Sequence, residues 1–122
     1  MSKTVLIIDD LATMRASVRY SLSAAGYAVV EAESGEKAIE ALKGNPSIDM
    51  ILSDWTMPDM DGLALLGEIL KNEDWKRIPF VMLIMESQLP RKEELRAAGA
   101  AGWIIKPFMP EQLCSVVGKL VA

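Results

Sequence analysis

The sequence has no histidine. This excludes histidine acid–base catalysis and histidine metal ligation, so any phosphohistidine chemistry must come from another protein. It has one cysteine, Cys114, so no internal disulfide can form. Cys114 lies in an apolar helical pattern, which favours a small core residue over a reactive thiol. No apolar run approaches the roughly 20 residues needed to cross a bilayer. Met1-Ser2-Lys3-Thr4 passes straight into a strand-like run without the small-residue cleavage site of a signal peptide. A cytoplasmic address is therefore expected, with no membrane partner. Basic residues are outnumbered, and the formal net charge is −4. That speaks against a general nucleic-acid binder.

What is present is apolar content: 51% of 122 residues, enough for one core in a single domain spanning 1–122. Two apolar runs end abruptly in acid. Val5-Leu6-Ile7-Ile8 runs into Asp9-Asp10, and Met50-Ile51-Leu52-Ser53 runs into Asp54, followed by the Pro58 turn. Buried strands read this way when their last residues emerge at a sheet edge. If the two strands are neighbours, three carboxylates converge on one rim. Two like charges about 4 Å apart repel by roughly 4 kcal/mol at an effective dielectric near 20. A cation would relieve that repulsion, and hard divalent ions such as magnesium prefer oxygen ligands.

The remaining chain alternates strand and helix. Strands are expected at Thr4 to Ile8, Tyr27 to Val30, Asp49 to Ser53, Pro79 to Met85 and Gly102 to Ile105. A first helix from Leu11 to Ala25 places Leu11, Met14, Val18, Leu22 and Ala25 on one face and closes at Gly26. A second begins at Ser34-Gly35-Glu36 and ends at Gly44-Asn45-Pro46. A third, Gly62 to Lys71, turns Leu63, Leu66, Ile69 and Leu70 inward. A fourth runs from Arg91 to Ala98, and a fifth opens at Pro110, where proline is tolerated. Continuously apolar strands alternating with helices imply an α/β fold: a doubly wound five-stranded parallel sheet with five helices covering both faces. In such sheets ligands bind outside the carboxyl ends of the strands, near the switch in strand order. Asp9, Asp10, Asp54 and Lys106 all fall at such ends.

Each of these residues also has a plainer reading. Asp10 precedes a helix and suits its N-cap, and Asp54 suits a turn cap. Lys106 suits a solvated lysine before a loop, although Pro107 biases it towards extended backbone. Trp103 reads as core or as a partner contact. Asp61 reads as an N-cap, because Asp59-Met60-Asp61-Gly62 lacks EF-hand spacing. Met57, Met85 and Met109 sit just beyond strand ends and could form an apolar rim.

Taken together, Ile8-Asp9-Asp10, Thr13-Met14-Arg15, Asp54-Trp55-Thr56-Met57-Pro58-Asp59-Met60-Asp61-Gly62 and Lys106-Pro107-Phe108 resemble the receiver domain of two-component response regulators. The resemblance runs from Val5 to Leu120 and is strongest to the stand-alone chemotaxis-type regulators. It implies a flavodoxin-like sheet of order 2-1-3-4-5 in a monomer. It also implies that Asp54 accepts a phosphoryl group from a sensor histidine kinase or phosphotransfer protein. Mg2+ would be held by Asp9, Asp10, Asp54 and the backbone carbonyl of Thr56, with Asp9 acting through water, and Lys106 would pair with the phosphoryl oxygen. Output would pass to a protein target through the fourth helix, fifth strand and last helix. The chain would be a phosphoacceptor rather than a turnover enzyme. Aspartate-nucleophile phosphatases on similar sheets carry a second acid two residues after the nucleophile, where this chain has Thr56.

The departure is in strand four. Receivers usually carry threonine or serine at the position of Ile84 and a small residue at that of Met85. Their usual coupling of hydroxyl to aromatic residue would here link Ile84 to Trp103. Ile84 offers no hydroxyl, and a hydrogen bond to a charged group is worth roughly 1.5–3 kcal/mol. This admits a second reading, a divergent receiver that binds partners independently of phosphorylation. As residues alone, Ile84 and Met85 simply extend an apolar strand.

Overall fold

The computed structural model describes residues 2–121. Met1, with the expectation about the N-terminal segment, and Ala122 lie outside the described residues. The elements are β1 (Thr4–Ile8), α1 (Ala12–Ala24), β2 (Ala28–Ala32), α2 (Gly35–Gly44), β3 (Ile48–Asp54) and α3 (Gly62–Leu70), followed by β4 (Phe80–Met85), a 3₁₀ turn (Glu86–Arg91), α4 (Lys92–Ala98), β5 (Gly102–Lys106) and α5 (Pro110–Val121). All strand pairings are parallel, in the order β2-β1-β3-β4-β5. This is the expected flavodoxin-like α/β architecture.

Side chains alternate across each strand, so the sheet carries two apolar layers. Val5 and Ile7, Met50 and Leu52, and Val81 and Leu83 pack with Val18 and Leu22 of α1 and with Leu113 and Val117 of α5. Leu6 and Ile8, Ile51, and Phe80, Met82 and Ile84 face the other way, against Ala38 and Leu42 of α2, Leu65, Leu66 and Ile69 of α3, and Leu95 of α4. β1 and β3 are covered on both faces, which explains their unbroken apolar runs.

Local chemistry sets the helix ends. Ser34 caps α2 by accepting from the Lys37 N–H, and Asp61 caps α3 by accepting from the Ala64 N–H at 2.8 Å. Gly26 follows α1 with φ of +95°, a conformation that side chains resist.

Four sequence expectations are corrected. Asp10 does not cap α1; Leu11 holds that place, and no side chain caps it. Leu11 is 55% exposed and Ala25 is exposed, because α1 begins and ends one residue inside the expected span. In α3, Leu65 is fully buried with Leu66 and Ile69 in the layer shared with α2, and Leu70, at the last residue of the helix, lies at the surface. β2 starts one residue late and extends to Ala32, following β1 to its end.

Candidate acidic site at the strand ends

β1, β3 and β5 deliver the site residues to one rim. Asp9 follows β1, and its backbone N–H still donates to Ala32 O at 3.1 Å, so strand pairing carries it beneath the surface. Its side chain is fully buried. Oδ1 accepts from the Leu11 N–H at 3.0 Å, while Oδ2 has no hydrogen-bond donor. The Asp9 carboxyl is held above the usual carboxylate range, chiefly by burial, and the Leu11 N–H opposes the shift. Asp54 raises it further, Lys106 lowers it and Asp10 raises it. Arg15 fixes the turn from behind: its guanidinium donates to the Asp9 carbonyl at 2.6 Å and pairs with Glu31 at 3.1 Å.

Asp54 ends β3 and is nearly buried. Lys106, at the end of β5, extends its ammonium to 3.0 Å from Asp54 Oδ1 and 3.9 Å from Asp9 Oδ2. The Lys106–Pro107 bond is cis. Asp10 is exposed, but oxygen atoms of Asp9, Asp10 and Asp54 all lie within 4.8 Å of one another. Three carboxylates with one cation between two of them leave net negative charge. An orphaned, buried oxygen in such a cluster suits a hard divalent cation, since the one ammonium present is committed to Asp54 and lies 3.9 Å from Asp9 Oδ2.

Gly62 lets α3 approach Asp54. A Cβ there would lie 2.5 Å from Met82 Sδ and 2.6 Å from the Asp54 carbonyl oxygen. The Gly62 N–H donates to Trp55 O at 2.8 Å, closing the loop after Asp54.

A model of the response regulator receiver domain matches residues 5–118. The chain belongs to the receiver-domain family. Among curated relatives it resembles chemotaxis protein CheY1 of Helicobacter pylori, 36% identical over 110 residues, which is 89% of either chain. Chemotaxis protein CheY-3 of Vibrio cholerae is 35% identical over 117 residues, covering 95% of this chain and 89% of that one. The solved structure of CheY4 of Vibrio cholerae superposes with a TM-score of 0.92 at 33% identity, over 98% of this chain and 99% of that one.

The receiver brings Asp9, Asp10, Asp54 and Lys106 together. Thr56 lies two residues after Asp54 on the following loop; it is exposed, and its hydroxyl accepts from Gln88 Nε2 at 3.1 Å. Ile84 is fully buried in the α2–α4 layer, against which Trp103 also packs. Met85 is 47% and Met109 60% exposed, whereas Met57 is buried, so only two of the three methionines are open to solvent. Trp103 is partly buried, with Arg96 over its ring at 5.5 Å. Cys114 is also partly buried, its Sγ 3.8 Å from Ser21 O. Sequence reasoning gave no role to Arg15 or Gln88. The partner of Arg15, Glu31, is 16 residues away. Gln88 lies in a turn with no periodic signal.

Proposed function

We propose that this receiver is a two-component phosphoacceptor: Asp54 takes a phosphoryl group from the phosphohistidine of a sensor kinase or phosphotransfer protein. The observation that carries the reading is the approach of the Lys106 ammonium to Asp54, beside the orphaned oxygen of Asp9. An Asp54 oxygen attacks phosphorus, the bond from phosphorus to the histidine nitrogen breaks, and that nitrogen keeps the electron pair. Such transfers depend on positioning and charge neutralisation. Lys106 neutralises one oxygen and orients the attacking carboxylate. Asp9, Asp10, Asp54 and the Thr56 carbonyl would hold Mg2+, which when bound supplies positive charge to the transferring oxygens. Positive charge facing Oδ2 would favour the anionic form of Asp9, against the burial that holds its carboxyl above the usual range.

The product carries about −1.5 to −2 charges, enough to reorganise the neighbouring loops. Output passes through the surface of α4, β5 and α5, which carries Trp103 and the half-exposed Ile105. The chain works as a cytoplasmic monomer that relays signals and turns over no small substrate. The phosphorylation-independent reading draws no support from a rim on which the acidic residues and Lys106 are assembled together.

Intact-mass analysis after incubation with acetyl phosphate tests this. The expected result is one added phosphoryl group that requires both magnesium and Asp54, lost in Asp54→Asn. Magnesium binding without modification would overturn it.

A further inference from the structure

The β3–β4 ladder stops before Met85. Trp55 N–H donates to Leu83 O at 3.2 Å, so the next rung of a parallel ladder would take the Met85 N–H to Trp55 O. That oxygen is already used by Gly62. The Met85 N–H turns instead to Gln88 Oε1, at 2.8 Å. The same amide group donates through Nε2 to Thr56 Oγ1 at 3.1 Å. One side chain thus ties the end of β4 to the loop that follows Asp54.

Met85 pairs in register with Lys106, whose ammonium holds Asp54. Its N–H is therefore a backbone donor at the strand end flanking the acidic rim. Ile84, buried and apolar, supplies no alternative donor from its side chain. A phosphoryl group on Asp54 brings strong acceptor oxygens to that rim.

We propose that Gln88 is a positioning residue that occupies the Met85 N–H in the unmodified chain and so competes with the phosphoryl group on Asp54, acting as a brake on phosphorylation. This rests on the reading of Asp54 as the phosphoacceptor. When the phosphoryl group takes the Met85 N–H, Gln88 loses one anchor, and its tie to Thr56 loosens with it. The charge at Asp54 thereby reaches the turn before α4 without a hydroxyl on strand four.

The test compares wild type, Gln88→Met, Thr56→Val and the double variant in acetyl phosphate titrations with magnesium, read by intact mass. Gln88→Met removes both hydrogen bonds at nearly constant volume. It is expected to lower the acetyl phosphate concentration for half-occupancy by about threefold to tenfold, the span of one neutral hydrogen bond. The double variant is expected to match Gln88→Met, because Thr56 acts through the same amide. Amide hydrogen exchange at Met85 in the unmodified protein is expected to accelerate in Gln88→Met. In Gln88→Met, magnesium affinity, read by tryptophan fluorescence, is expected to stay within about twofold of wild type, which separates the effect from general damage to the rim. Unchanged half-occupancy, or a shift to higher concentration, overturns the brake. A wild type that takes no phosphoryl group at all overturns the phosphoacceptor reading instead.

Discussion

Lys106 reaches Asp54 across two strand positions, ammonium to carboxylate at 3.0 Å, with β4 between them. The pairing places positive charge where an oxygen of a transferred phosphoryl group would develop its own negative charge. Lys106→Met keeps the length of the side chain and removes the charge. Phosphorylation by acetyl phosphate is expected to slow by about a hundredfold, the usual cost of losing one aimed donor to developing charge. Rapid-quench intact mass measures it. A rate within about threefold of wild type would mean that the pair is structural only.

Asp9 contributes to the pH response of the metal-free fold. Its folded pKa is raised above the unfolded value, mainly by burial. The folded state therefore holds the proton more tightly. The stability this contributes is complete below the ordinary carboxylate range and is lost as pH rises through the elevated value. In EDTA, this contribution is expected to lower urea unfolding midpoints across that interval for wild type relative to Asp9→Asn. Magnesium at a hundred times its Kd is expected to return about 2.7 kcal/mol to wild type. Parallel pH curves for the two proteins would refute the assignment.

Gly62 is expected to tolerate no side chain. The Cβ of Gly62→Ala would meet both the Met82 sulfur and the backbone oxygen of Asp54, and the second cannot rotate away. A loss of about 1–3 kcal/mol in urea unfolding is expected, as for other overpacked sites. Phosphorylation should slow as well, because α3 would push directly on Asp54, the proposed acceptor. Gly67→Ala has open space at its Cβ and serves as the control in the same helix.

Ile84→Thr tests the departure in strand four. The side chain is fully buried in the α2–α4 layer, so replacing it is expected to cost about 2 kcal/mol of stability. If the hydroxyl reaches the phosphoryl group, the phosphorylation-driven shift of the Trp103 indole N–H resonance is expected at roughly tenfold lower acetyl phosphate. Lost stability with an unmoved titration would place the hydroxyl away from Asp54.

The sheet and the acidic rim were legible because their signals are local or topological. Apolar runs closed by Asp9 and Asp54 give the strand ends, the alternation of strand and helix brings those ends to one edge of a parallel sheet, and the resemblance to receivers supplies the order in which β1 and β3 are neighbours. Asp61 as a cap and Gly26 as a helix terminus follow from single-residue chemistry. Legibility failed wherever a side chain chose between two partners on tertiary grounds. Leu65 and Leu70 are both leucines on one helix, and only the seating of α3 decides which is covered. Asp10 was a sound cap by sequence, but the turn is held by Asp9 Oδ1 on the Leu11 N–H, leaving Asp10 at the surface. Gln88 and Thr56 lie 32 residues apart in segments without periodicity, so nothing in the sequence couples them.

The spacing of the site along the chain has a consequence for synthesis. Lys106 lies 52 residues after Asp54, and Asp9 precedes both. On a translating ribosome, Asp9 and Asp54 are made long before their counter-cation, and the strand that delivers Lys106 is the last of the five. The acidic rim therefore stays incomplete until β5 has left the exit tunnel. A nascent chain stalled before β5 should present unmatched carboxylates and an open edge of β4, which makes the completed rim a marker of finished folding.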